Sequence, residues 1–421
     1  APRLKALSNR FVLGEKEIIG GDCRITVTIE EDSLYHPKIQ LRFFIDERLL
    51  SLYREDEGLA QRPYSNSYHK VEMYFDRLEW DMDEPVMKLS NLQAGDVNPV
   101  VLESFNFYRD ERFDQLQGMD DSNVLYVLKK MWERSDHQEE FWIEEVAQYL
   151  RMELHQCKLL MMEMTIMGFV NYDLEEGRVK FEKRMFDYIN ARGGFIDYDI
   201  IRFVSVAEEE NARLNLLNQD LELYGVRPIL LSDSQKVVLF PAGGFMVLKE
   251  DRDFNFGGTI QAGRFDFMGR DFFFEYKNFR INMNTIDSMK FLVPSFEADE
   301  YGRRELVPIK NKLQDMTGEL FIDKPNNKSS RAVFPEYPIF RSGNDSYVYW
   351  DDRRIFNGVY DRSRVYFHVE PFEIDSLDSF ETEGLAFNGQ FYSGDIFPMF
   401  EEDLKVMRDY SLGFIKTTPS T

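Results

Sequence analysis

At 421 residues the chain is too long for one ordinary hydrophobic core, and two or three domains are expected. Its formal net charge of -24 argues against nucleic acid or an anionic membrane surface as the main partner, and reads as a solubilising charge. The two cysteines, Cys23 and Cys157, make neither a disulfide framework nor a zinc site, and no apolar run is long enough for a membrane-spanning helix.

Aromatic residues make up 15% of the chain, with 37 Phe and 21 Tyr, which favours strands and stacked sheets. Residues 1–118 read as an N-terminal β region. Arg24–Ile29 alternates apolar and polar residues, and Ile39, Leu41 and Phe43 continue the pattern. Leu49–Tyr53, Val71–Phe75 and Val86–Leu89 are further strands, separated by polar turns such as Glu55-Asp56-Glu57-Gly58. Asp81-Met82-Asp83-Glu84 lacks the spacing, glycine and closing Glu of a calcium loop and reads as a solvated turn.

Residues 119–192 change character. Ser122 can cap a first helix carrying Val124, Leu128, Met131 and Trp132 on one face. A second helix is expected after Ser135 with Ile143, Val146, Ala147 and Leu150. A third starts near Glu153, carries Cys157, Leu160, Met164 and Met167, and stops at Gly168. Phe169–Tyr172, a turn at Glu175-Glu176-Gly177 and Val179–Phe181 then read as a two-stranded wing. Three helices and a wing resemble a winged-helix domain. A DNA-reading third helix needs basic side chains, and this one offers Lys158 beside Glu153 and Glu163. The segment from Asp120 to Arg192 holds 15 acidic and 10 basic residues, so a protein-contact or scaffold role is favoured over a transcriptional regulator. Met161, Met162, Met164 and Met167 read as core filling.

Residues 193–421 return to strands, solenoid-like or in layered sheets. Within Val237–Pro294, alternation runs through Phe254, Phe256 and Ile260, then Phe265 and Phe267, then Phe272 and Phe274, then Phe279, Ile281 and Met283. Breaks at Gly243-Gly244, Gly257-Gly258, Gly263 and Gly269 predict four or more short strands with little loop between them. The likeness of Phe256–Gly263 to Phe387–Gly394 points to one kind of strand module used more than once.

Chemistry-bearing motifs are sparse. Gly258–Phe265 has the outline of a phosphate loop but lacks its Lys and its helix. The five histidines, His36, His69, His137, His155 and His368, lack metal-ligand spacing, and no nucleophile elbow is present. No catalytic residue, metal ligand or cofactor is assigned. The one suggestive place is Asp351-Asp352 after Tyr347-Val348-Tyr349-Trp350, where aromatics flank paired acids as in sugar clefts.

Asn66-Ser67-Tyr68-His69, Ile322–Lys328 and Glu370–Leu377, with the Phe-Gly and Ala-Gly strand modules, resemble parts of a group of large, uncharacterised Bacteroidota cell-envelope β-repeat proteins. The resemblance implies a section of a longer envelope or periplasmic protein, with an envelope protein partner or a lipid or glycolipid, and brings no functional residues with it. The start at Ala1 without Met and the plain Lys416–Thr421 end fit that expectation. A looser architectural similarity is to β-taco and β-solenoid proteins that handle lipids. The expectation is therefore a mainly β chain with a small α+β winged-helix-like insertion. Its function is expected to be non-enzymatic binding through protein contacts or an apolar or lipid ligand on aromatic-rich strands. The alternative is a carbohydrate-active protein using paired carboxylates.

Overall fold

The computed structural model describes residues 3–55, 58–91, 99–116, 123–174, 176–351, 356–380 and 382–417. The chain is mainly β, with five α-helices among the described residues. It divides into two compact units: residues 1–227 with 247–252, and residues 228–246 with 253–421.

The N-terminal unit is built on one long hairpin, Glu17–Ile29 against Asp32–Phe44. Its alternation follows the sequence: Ile25, Val27 and Ile29 are at most 1% exposed. Register shifts on both sides of Cys23 bend the hairpin and let it feed two branches. Through Gln40–Phe44 it pairs with Leu49–Tyr53, and the order continues through Arg77–Asp81, Val86–Ser90, Ala212–Asn215 and Leu221–Leu223. Through Leu34 and Tyr35 it pairs with Tyr64–Asn66, then Val71–Tyr74, Val100–Ser104 and Arg202–Ser205. Every one of these pairings is antiparallel. Strands between 202 and 223 thus close onto strands laid down before residue 105.

Five helices follow the N-terminal strands: α1 (Asp110–Gln115), α2 (Val124–Arg134), α3 (Ile143–Leu150), α4 (Leu154–Ile166) and α5 (Lys183–Gly193). The expected cap, Ser122, lies outside the described residues. Asn123 caps α2, its side-chain oxygen accepting from Leu125 N at 2.9 Å. The second helix starts at Ile143 instead of just after Ser135, because Glu140–Trp142 is a strand paired to Arg178–Lys180. The Glu145 carboxylate then accepts from Trp142 N at 2.9 Å and satisfies a free donor at the start of α3. Gly168 follows α4 at φ +76, the left-handed conformation that suits glycine. Val170–Asp173 and Arg178–Phe181 complete a three-stranded sheet with Glu140–Trp142, Arg178–Phe181 in the middle. Met161 and Met164 are fully buried in the helical core, with Met162 and Met167 packed against it.

In the C-terminal unit the phenylalanine-rich stretch forms three long strands: Phe254–Ala262, Phe265–Glu275 and Arg280–Pro294. Four strands do lie within Val237–Pro294, the first being Val237–Leu248, but they are long where short ones were expected, and Gly243 and Gly244 fall inside the first of them. Glycines 257, 258 and 269 sit at bulges inside continuous strands, and Gly263 with Arg264 makes the turn between Phe254–Ala262 and Phe265–Glu275. Phe254 lies across from Phe274 with ring centroids 4.6 Å apart, and Phe265 across from Phe291 at 5.0 Å. Each such pair adds about 0.5–1.5 kcal/mol beyond the area it buries. Phe254, Phe265, Phe267, Phe272, Phe274 and Phe279 are all 0% exposed, so they form the core of this unit and leave the polar residues between them outside.

Arg280–Pro294 pairs with Leu313–Phe321, which divides in turn. Its Gly318–Phe321 end pairs with Ile339–Ser342, and its Leu313-Gln314 end with Ser346–Tyr349. Val365–Val369, Ala386–Ser393 and Phe400–Val406 follow side by side, all antiparallel.

Gly269 shows how tightly the bulge is packed. A Cβ there would lie 2.0 Å from the Thr285 carbonyl oxygen and 3.0 Å from Ile286 Cα, and neither backbone atom can step aside alone. Gly269→Ala is expected to cost about 1–3 kcal/mol, the range of overpacked sites, read as a lowered midpoint in urea denaturation. An unchanged midpoint would show that the bulge tolerates a side chain.

Candidate functional site

Of the place singled out by the sequence, Tyr347 to Asp351 opens onto an organised surface. In the strand Ser346–Tyr349, Ser346 and Val348 are buried while Tyr347 and Tyr349 stand half-buried on the opposite face. This is the two-residue period of a strand. The next strand, Val365–Val369, puts Tyr366 across from Tyr349 and His368 across from Tyr347. The strand after that, Ala386–Ser393, puts Tyr392 across from Tyr366 and Gln390 across from His368. Register alone therefore assembles a grid of six side chains, four of them tyrosine, on one sheet face.

The rings touch. Tyr366 stacks on Tyr392 at 4.7 Å and 16°, and its ring centroid lies 5.9 Å from Tyr347 and 6.4 Å from Tyr349. Tyr347 and Tyr349 lie nearly parallel at 6.0 Å, and His368 approaches Tyr347 at 5.4 Å. Cross-strand aromatic pairs also stabilise the sheet, by roughly 0.2–1 kcal/mol each.

Polar groups border the rings. The Arg362 guanidinium lies 4.2 Å from the centroid of Tyr349, donates to the Gln314 side chain at 3.0 Å, and pairs with Asp351 at 3.0 Å. Tyr349 OH donates to Asp315 at 3.3 Å, and Tyr392 OH donates to the Gln390 amide oxygen at 3.3 Å. His368 Nε2 sits 2.8 Å from Asp345. Partial burial, with Asp315 adding to it, pushes the Tyr349 hydroxyl up to about 12; burial and the neighbouring tyrosines also push Tyr366 up. Those two hydroxyls stay protonated and neutral at physiological pH, so each remains a hydrogen-bond donor.

The carboxylate pair expected at 351 and 352 is only half visible, since Asp352 lies outside the described residues. Asp351 is engaged by Arg362 and its side chain is 40% exposed. Glycoside cleavage needs two carboxyl groups free to face the scissile bond, and that of Asp351 is taken up by Arg362.

The other motifs take structural places. Gly258–Phe265 is a strand and a hairpin turn, with no helix after it. Asp83 in the acidic turn pairs with Arg48 at 2.7 Å. His36 and His69 are fully buried, and His137 and His155 are exposed. Among the described residues no group of three or more His, Cys, Asp or Glu is placed to hold a metal. Lys158 is half-buried on α4. The Ile322–Lys328 segment is a turn knitted by two buried side chains: Asn327 donates to both Asp323 oxygens at 3.0 Å, and Gln235 and Ser330 donate to Asp323 as well.

Tyr366 and Tyr392 escaped the sequence reading. Their signal was the alternation Tyr366-Phe367-His368 and Tyr392 beside Phe391, which marks a face but names no neighbour. No known family model, curated protein or solved structure matches this chain.

Proposed function

We propose that this chain is a non-enzymatic binding protein of the cell envelope that holds a carbohydrate, free or as a glycolipid headgroup, on its tyrosine platform. The observation that carries this reading is the grid of Tyr347, Tyr349, Tyr366 and Tyr392 on neighbouring strands. A pyranose presents C–H groups on its ring faces, and an aromatic face is electron-rich and apolar, so the two stack. Three strands span about 10 Å, over which a short oligosaccharide can lie flat. Arg362, Asp345, His368 and Gln390 at the border supply donors and acceptors for sugar hydroxyls. Phe254, Phe265, Phe267, Phe272, Phe274 and Phe279 point into the core, so ligand contact falls to the tyrosine face. The envelope location, and a protein or glycolipid partner there, are supported by the sequence resemblance alone.

The test is a glycan panel followed by titration calorimetry on the best binder. Tyr366→Ala and Tyr349→Ala are each expected to weaken binding at least tenfold, or about 1.4 kcal/mol, with the fold intact by near-ultraviolet circular dichroism. Tyr126→Ala, on α2 of the N-terminal unit, should leave binding unchanged. A panel without a binder, or full affinity in Tyr366→Ala, would sink the proposal.

A further inference from the structure

The N-terminal unit contains a second site of opposite electrostatic character. A cleft of about 540 Å³ opens there, within the size range of small-molecule pockets. Five cationic side chains line it: Arg62, Lys70, Lys183, Arg184 and Arg252. Three acids line it as well: Glu72, Glu182 and Asp187. The excess of two positive charges stands out on a chain whose net charge is -24.

The cations differ in how far they are already engaged. Lys183 is 89% exposed and pairs with Asp187 at 3.1 Å, and Lys70 reaches Asp32 only at 4.0 Å. Arg184 is 14% exposed, with one terminal nitrogen 3.7 Å from Glu103 on the strand behind it. Its Nε is buried and has no hydrogen-bond partner. Arg62 makes no ion pair among the described residues, and it shares the field of Glu72 with Arg184. Burial pushes the Glu72 carboxyl up, and the two guanidinium groups oppose that. Asn171 also lines the cleft, and its side-chain oxygen is buried and unpartnered. A buried donor and a buried acceptor left open in one polar cleft are a cost that a ligand of matching chemistry removes.

The geometry points to this cleft as a binding site for a phosphate or sulfate monoester of a hydroxylated small molecule. Guanidinium groups match the planar array of oxygens on a tetrahedral oxyanion, with Arg184 Nε supplying a fixed donor and Arg62 and Lys183 adding charge. The hydroxylated part would donate to Asn171 and Glu72, which a bare anion cannot do. This site is independent of the tyrosine platform.

Titration calorimetry with glucose 6-phosphate, glucose 6-sulfate and glucose tests it on the full chain. Both esters are expected to bind and glucose is not, with affinity falling as salt rises. The ester that binds tighter identifies the natural source of the oxyanion. Arg62→Ala should weaken ester binding at least tenfold, Lys183→Ala a few-fold, and Glu72→Gln should tighten it. Arg184→Gln should abolish binding, but Glu103 stands behind Arg184, so Arg62→Ala is the deciding variant if Arg184→Gln fails to fold. Absence of binding for both esters at 10 mM, equal binding of glucose, or unchanged affinity in Arg62→Ala would overturn the assignment.

Discussion

Acidification from pH 6.5 to pH 4 is expected to destabilise the N-terminal unit by on the order of 5 kcal/mol, through two buried histidines. His36 is 0% exposed, and its Nδ1 accepts from Lys38 N at 3.2 Å. Its Nε2 therefore carries the proton and donates to the Arg62 carbonyl at 2.9 Å. The neutral ring is fully used, and a second proton on Nδ1 would meet the Lys38 N–H. Burial lowers the pKa to about 3, helped by the charges of Arg54 and Arg62. His69 is also 0% exposed; its Nε2 donates to the Gln219 carbonyl at 2.9 Å, while its Nδ1 is buried without a partner. Burial lowers this ring to about 4, against the opposing pull of the Gln219 carbonyl and Asp220.

The sign follows from which state takes the proton first. Both folded values lie below the ordinary histidine value of 6.5, so the unfolded chain protonates first as pH falls. The contribution is complete above about 6.5 and is lost on descent toward about 4 for His69 and about 3 for His36. Two groups, each about 1.4 kcal/mol per pH unit, approach the whole stability of an ordinary domain. Urea denaturation at several pH values gives the slope. His69→Gln should reduce it by about one proton between pH 6.5 and 4.5. A flat profile over that range in the wild-type chain would refute the assignment.

The second large effect is expected at Glu103. Its carboxylate is 2% exposed and is held by Arg112 in a two-pronged pair at 2.8 and 2.9 Å. Arg202 Nε lies 3.5 Å away and the Arg184 terminal nitrogen 3.7 Å away. One carboxylate thus meets three guanidinium groups, from α1, α5 and the strand Arg202–Ser205. Burial alone would raise its pKa; hydrogen bonds from Arg112 and the charges of Arg112, Arg184 and Arg202 outweigh that and lower it. Removing the carboxylate leaves partly desolvated arginines uncompensated. Glu103→Gln is expected to cost about 3–5 kcal/mol, as when one partner of a buried pair is removed. Arg202→Ala, at a side chain 46% exposed, should cost under about 1 kcal/mol. Chemical denaturation of both variants checks the contrast. Equal costs would mean that burial does not set the energetics of the cluster. Glu103 further adds to acid lability, since a lowered carboxylate pKa contributes stability that is lost as pH falls through the carboxylate range.

Local order was open to sequence reading wherever one face of an element is buried. Leu49–Tyr53 forms a strand with the expected bounds, and the helices around Val146 and Met164 bury the residues chosen from their spacing. Helix α5 was missed although Met185, Tyr188 and Ile189 recur at helical spacing and Gly194 ends it at φ +73. Its short pattern was overshadowed by the wing before it. Gly258 and Gly269 were read as breaks between short strands, because glycine serves a turn and a bulge by the same freedom. Only the partner strand, through its register, decides between them.

The sequence by itself determined a mainly β chain, the positions of most strands, a helical insertion and the inward face of the elements it marked. Those depend on period-2 and period-3.6 burial, which is written locally in the order of side chains. Tertiary structure alone decided which outward faces meet. Tyr349, Tyr366 and Tyr392 become neighbours through strand register, and Glu103 collects Arg112, Arg184 and Arg202 from three elements. Pairing between distant strands is selected by the joint burial of whole faces, and no short window of sequence carries that information.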